Sequence, residues 1–181
     1  NLIEQLSTLQ PNMVHWRHEI HQYPETAYEE TRTADLVARE LEQMGLEVHR
    51  GLAETGVVGV LSAGRGNRAI GLRADLDALN LQELNHFEHR SLHDGKMHAC
   101  GHDGHTAMLL GAAKHLSTDP SFDGTVFFIF QPAEEGGHGA KRMMDEGLFD
   151  AFPCESVFGM HNMPGFEAGT FAVRKGPLMA S

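Results

Sequence analysis

Cysteine is scarce in this chain, with only Cys100 and Cys154 among 181 residues. That count excludes a small disulfide-held scaffold and allows at most one internal bridge. The surroundings of Cys100 make it a better ligand than a bridge partner. Basic residues are also few. Fourteen Lys and Arg stand against 25 Asp and Glu, a formal charge of −11 with histidine neutral. A field of that sign disfavours nucleic acid and anionic membrane as main partners, so neither is expected. No apolar run approaches the length of a membrane span, and Asn1-Leu2-Ile3-Glu4 has no signal-peptide profile; the default reading is a cytoplasmic protein. Several catalytic signatures are missing too. His18-Glu19-Ile20-His21 falls short of the zinc-protease helix motif because Gln22 stands where the second His belongs. There is no Gly-rich phosphate loop ending in Lys-Ser/Thr and no Gly-x-Ser-x-Gly elbow.

What is present suffices for one compact domain. Hydrophobic residues make up 41% and charged residues 22% of the chain, which supports a real core and argues against bulk disorder. Apolar spacing predicts helices over Leu2 to Gln22, interrupted near Pro11, and over Glu30 to Met44, stopped by Gly45. Further helices are expected at Gly104 to Leu116 and Ala140 to Glu146. Strands are expected at Leu46–His49, Gly56–Ser62, Ala69–Arg73, Thr125–Phe130, Ser156–Met160 and Thr170–Val173. Gly64-Arg65-Gly66-Asn67 reads as a hairpin connection between the second and third of these. Asp75 to Gly95 is a long polar loop of the kind that is commonly functional or ordered by what it binds. The alternation of strands and helices gives an α/β domain with a mixed β-sheet flanked by helices.

Thirteen histidines, several of them between His86 and His105, direct attention to their spacing. In Met97-His98-Ala99-Cys100-Gly101-His102-Asp103-Gly104-His105, a thiol and an imidazole flank a glycine just before a helix. Both are good ligands for zinc and related ions, and the glycine lets the backbone turn both toward one point. A packed cysteine among surface histidines is the plain alternative. In Gln131-Pro132-Ala133-Glu134-Glu135-Gly136-Gly137 a strand delivers two adjacent carboxylates that point in different directions. One can bind metal while the other serves as a base, or the pair is a solvated acidic turn. His161 follows the apolar Val157-Phe158 and precedes Pro164, as a ligand or as a structural histidine. Asp75 and Asp77 end another strand, where they can orient an imidazole, bridge metals or cap a loop. Each signal is modest alone. Ligand-type residues at three or four element ends are how a buried metal site is assembled.

These motifs, together with Trp16 to Glu25, Arg73-Ala74-Asp75-Leu76-Asp77-Ala78-Leu79 and Met160-His161-Asn162, resemble one family in order along nearly the whole chain. It is the metal-dependent amidohydrolase family of hippurate hydrolase, N-acyl-L-amino-acid amidohydrolase, N-acetyldiaminopimelate deacetylase and the auxin-conjugate hydrolases, within the aminoacylase and carboxypeptidase-like metallopeptidases. The resemblance implies the N-terminal part of a phosphorylase/hydrolase-like zinc-exopeptidase catalytic domain. It also implies two divalent metal ions, with zinc, manganese, nickel and cobalt not distinguished. Cys100, His102, Glu135 and His161 are then four of the protein ligands, Glu134 is the general base, and Asp75 is a supporting active-site aspartate. Glu134 would take a proton from the attacking water and give it to the leaving amine. The expected substrate is a small N-acyl amino acid or peptide, and the full-length protein would be a homodimer or homotetramer.

Two departures from the family pattern stand out. Asn80 replaces the Pro that usually follows Asp-Ala-Leu. The family chain also continues well past residue 181, into a lid domain and a return segment that supplies one more ligating His and contacts to the substrate carboxylate. Leu178-Met179-Ala180-Ser181 ends close to where the lid would begin, so residues 1–181 alone are expected to bind metal weakly and hydrolyse little. Two other classes compete with this reading: a non-catalytic metal-binding relative, against which the intact Glu134 argues, and a cysteine-nucleophile enzyme using Cys100 with a nearby His.

Overall fold

The computed structural model describes residues 1–176; Leu178 to Ser181, where the resemblance puts the approach to a lid, lie outside the described residues. The elements run α1 (Leu2–Ser7), α2 (Gln10–Gln22), α3 (Thr31–Gln43), β1 (Glu47–Leu52), β2 (Gly56–Ala63), β3 (Ala69–Asp75), α4 (His102–Thr118), β4 (Gly124–Gln131), α5 (Gly139–Asp145), α6 (Leu148–Ala151) and β5 (Ser156–Gly159). The strands form a single mixed sheet in the order β1-β2-β4-β3-β5. β1 and β2 pair antiparallel, as do β2 and β4, whereas β3 pairs parallel with both β4 and β5. The chain is thus the expected α/β domain with a mixed sheet and flanking helices.

Burial on β4 explains the layers. Its side chains alternate between faces, as an extended backbone requires. Val126, Phe128 and Phe130 join Trp16, Val37, Leu41 and Leu110 from α2, α3 and α4 in one core, while Phe127 and Ile129 pack with Met143 and Leu148 of α5 and α6 on the other face. A strand covered on both sides should be apolar throughout, and Thr125 to Phe130 is nearly so.

Three sequence expectations are corrected. The Gly64 to Asn67 turn does not close a hairpin, because β4 lies between β2 and β3. Its backbone amides find a different acceptor: Arg65 N and Gly66 N both donate to Asp123 Oδ1 at 2.6 Å, at the entrance to β4. Thr170–Val173 forms no strand; it is exposed and irregular. Pro11 does not interrupt a helix either. The break falls at Thr8 and Leu9, and Pro11 sits in the first turn of α2, where its missing N–H costs nothing.

β3, β4 and β5 run parallel, so their C-terminal ends share one edge of the sheet, and the N-terminus of α4 comes to the same edge. In an open α/β sheet that is where ligands bind.

Candidate metal centre

Each strand end contributes something different. β3 closes on Asp75, which is buried, as is Asp77 two residues on. Asp75 accepts from Arg73 Nη1 at 2.6 Å and lies 2.6 Å from His105 Nδ1. Burial alone would raise its pKa, but the His105 hydrogen bond and the Arg73, His102 and His105 charges together hold it far below the usual carboxylate range.

The chain leaves β4 through Ala133, a fully buried residue with φ +52°. A non-glycine residue in the left-handed region costs of order 1–2 kcal/mol, and its neighbours hold it there. Ala133 N donates to Glu30 Oε1 at 2.8 Å, and the other Glu30 oxygen accepts from Thr55 Oγ1 at 2.7 Å. This kink brings Glu134 and Glu135 over the sheet edge, where Glu135 N donates to Asp77 Oδ2 at 2.8 Å.

Gly101 caps α4 at φ +91°, and a Cβ there would collide with the Asn162 side-chain amide. Only glycine meets both demands. The turn it permits sets Cys100 Sγ 3.4 Å from His161 Nε2 and buries His102 completely.

His102 Nε2 is the hub. It lies 3.7 Å from Asp75 Oδ2, 3.9 Å from Glu134 Oε2 and 3.8 Å from Glu135 Oε1. Among the described residues it is buried with no hydrogen-bond partner. Its other nitrogen, Nδ1, lies 2.8 Å from the Asp77 carbonyl and 3.4 Å from Asp77 Oδ1. An Nδ1–H donated to that carbonyl leaves Nε2 a free lone pair that can bind a cation. His161 follows the same logic, because its Nδ1 lies 2.6 Å from the Asn162 carbonyl and Nε2 faces Cys100. Three sets of ligand atoms therefore converge, each within 4.8 Å: Cys100, His102 and His161; Asp75, His102 and His105; and His102, Glu134 and Glu135. An unpartnered buried imidazole nitrogen ringed by carboxylates, with a thiol and a second imidazole beside it, fits a divalent cation in donor chemistry and in charge.

All six residues singled out in the sequence meet in this cluster. The structure distinguishes the two aspartates: Asp77 stands behind His102, while Asp75 holds His105. His105 itself received no role from the sequence. Its offset of three residues from His102 on α4 puts both on one face, which was the available signal. Asn162, whose side-chain Oδ1 and backbone N lie 2.6 and 3.0 Å from His105 Nε2, is likewise new.

The protonation states fit a site built for a cation. Burial and the adjoining Glu135, with the Glu134 and Asp75 charges, push the Cys100 thiol up to about 12. That is the reverse of an activated nucleophile and counts against Cys100 attacking a substrate. Burial opposes charge on His102, but Asp77, Asp75 and Glu135 outweigh it and raise its pKa.

The comparisons with known proteins agree with this geometry. The model of peptidase family M20/M25/M40 matches residues 71–176. Hippurate hydrolase of Campylobacter jejuni is 49% identical over the whole chain, which covers 47% of that protein. N-acetyl-L-cysteine deacetylase of Bacillus subtilis is 41% identical, with 97% of this chain and 42% of that protein aligned. Among solved structures, the YXEP protein of Bacillus subtilis, described as a dinuclear metal-binding peptidase of the M20 family, superposes with a TM-score of 0.89 at 37% identity. The match covers 95% of this chain and 48% of that one. The chain thus spans about half the length of the relatives it matches. Among the described residues no helix is long and apolar enough to cross a membrane.

Proposed function

The chain belongs to peptidase family M20/M25/M40, and from that premise we propose that it carries the metal-binding part of a hydrolase that cleaves the amide bond of N-acyl amino acids. The observation that supports this most is His102 Nε2, buried, unpartnered and surrounded by Asp75, Glu134 and Glu135. The names of two relatives, hippurate hydrolase and N-acetyl-L-cysteine deacetylase, support the substrate class.

In this reading Cys100, His102, Glu135 and His161 hold two divalent ions, for which zinc, manganese, nickel and cobalt all suit the mixed sulfur, nitrogen and oxygen donors. Bound ions would polarise the amide carbonyl and acidify water. The protein's own residues do the rest. Glu134, with a side chain 41% exposed beside the buried His102, is open to water and substrate. It accepts the proton of the attacking water on a carboxylate oxygen and returns it to the leaving nitrogen. Asp77 fixes the His102 ring, and the Asp75–His105 pair fixes Asn162 beside His161. The family resemblance implies that a lid domain and a return segment carrying a further ligating His would complete such an enzyme.

Glu134→Gln tests this directly. Hydrolysis of N-acetyl and N-benzoyl amino acids by the full-length protein should fall by about 10²- to 10⁴-fold, with metal content by elemental analysis unchanged. Retained activity would remove Glu134 as the base. Lost metal would make it a ligand instead.

A further inference from the structure

A second buried charge network lies behind the metal-site turn, and the chemistry assigned above does not use it. His21, in the last turn of α2, is 4% exposed. Its Nδ1 lies 2.8 Å from Asp103 Oδ2 and its Nε2 lies 3.1 Å from Glu83 Oε1. Asp103 directly follows His102 in the first turn of α4, and its side chain is 1% exposed. Glu83 belongs to the long loop after β3. It also accepts from Asn85 Nδ2 at 2.9 Å and from Ser91 N.

Ionised carboxylates only accept hydrogen bonds. Two carboxylates on the two nitrogens of one ring therefore require both nitrogens to carry a proton. We propose that His21 is a positioning residue for the metal centre: its imidazolium, clamped between Asp103 and Glu83, fixes the turn that presents Cys100 and His102. This rests on the metal-site reading above.

The surrounding groups place the charge on His21. Arg17, one turn earlier on α2, reaches Asp103 at 3.2 Å. His98, whose ring centre is 6.3 Å away, is buried and, among the described residues, has no partner on either nitrogen. From the loop, Phe87 and His89 approach edgewise or tilted at 5.7 and 5.9 Å, and His89 stacks on His18 at 3.6 Å. Burial disfavours a charged His21, yet Asp103 and Glu83 overcome it and raise its pKa, while both carboxylates are held low. Without the imidazolium, two buried carboxylates would face each other with only Arg17 to compensate, and the α4 N-terminus would have to shift.

The sign of the pH effect follows. A raised His21 pKa keeps the clamp intact below it and dissolves the clamp as pH climbs through it. The experiment is a cobalt(II) titration of the full-length wild type, His21→Gln and Glu83→Gln across that range. Below the His21 pKa, His21→Gln should bind cobalt about 10- to 100-fold more weakly than wild type. Above it the ratio should narrow, because wild type has then lost the same charge; the ligands' own deprotonation cancels in the ratio. The amide introduced by Glu83→Gln can donate to a neutral His21, so that variant should stay near wild type at low pH and overtake it at high pH. If His21→Gln fails to fold, that crossover still decides. Equal affinities for wild type and His21→Gln, or a ratio independent of pH, would overturn the positioning role alone. A wild type that takes up no cobalt would overturn the metal reading and this one together.

Discussion

The Cys100 thiol holds a proton that a cation would displace. Burial, with Glu135, Glu134 and Asp75, pushes the thiol up to about 12, and the surrounding acids favour a charged His102 against its burial. Binding at neutral pH should therefore eject the Cys100 proton, and affinity should rise with pH by about tenfold per unit for each proton released. Calorimetry of zinc binding in two buffers of different ionisation enthalpy measures the release. In Cys100→Asp, where the replacement is already ionised, release should drop by about one proton per site; an unchanged value would mean that Cys100 is not a ligand. At this scale the sequence was informative wherever chemistry is local. Cys100, His102, Glu134 and Glu135 sit in short runs of ligand-type residues, and they converge as those runs suggested. His21 was not legible. Its run read as a failed zinc-protease motif and as part of the family resemblance, with no role for the histidine itself, because its partner Asp103 lies 82 residues away.

Gly101 shows how one backbone angle positions an element. At φ +91°, with the Asn162 amide against its Cα, it turns the chain from Cys100 into α4. Gly101→Ala should cost about 1–3 kcal/mol in thermal unfolding and should weaken metal binding by separating the Cys100 and His161 segments. A variant with wild-type stability and affinity would show that the turn tolerates a side chain. The failures at this scale share a cause. The Gly64 to Asn67 segment has hairpin composition, but β4 enters between its flanking strands and Asp123 takes the turn amides. Thr170–Val173 has strand composition without a neighbouring strand to pair with among the described residues. Local composition specifies that a turn or an extended run exists, whereas a partner far along the chain decides what it pairs with. The long loop after β3 is ordered by the protein itself: Leu92 N donates to the Gln22 carbonyl at 2.8 Å, Lys96 Nζ reaches Glu29 at 2.6 Å, and Glu83 anchors its start.

Over the whole molecule, topology assembles the centre. Three parallel strands end on one edge, an α-helix starts there, and each delivers side chains that carry no decisive signal alone. The α/β class was readable from element alternation, and the family from co-linear motifs; the strand order was not, since it depends on non-local pairing. The metal centre requires one cation to touch both the thiol of Cys100 and the imidazoles beside it. X-ray absorption at the zinc edge of the zinc-loaded full-length protein reports this. The expected result is a sulfur neighbour at about 2.3 Å together with nitrogen or oxygen neighbours near 2.0–2.2 Å, with the sulfur shell lost in Cys100→Ser. A shell of nitrogen and oxygen alone in the wild type would contradict it.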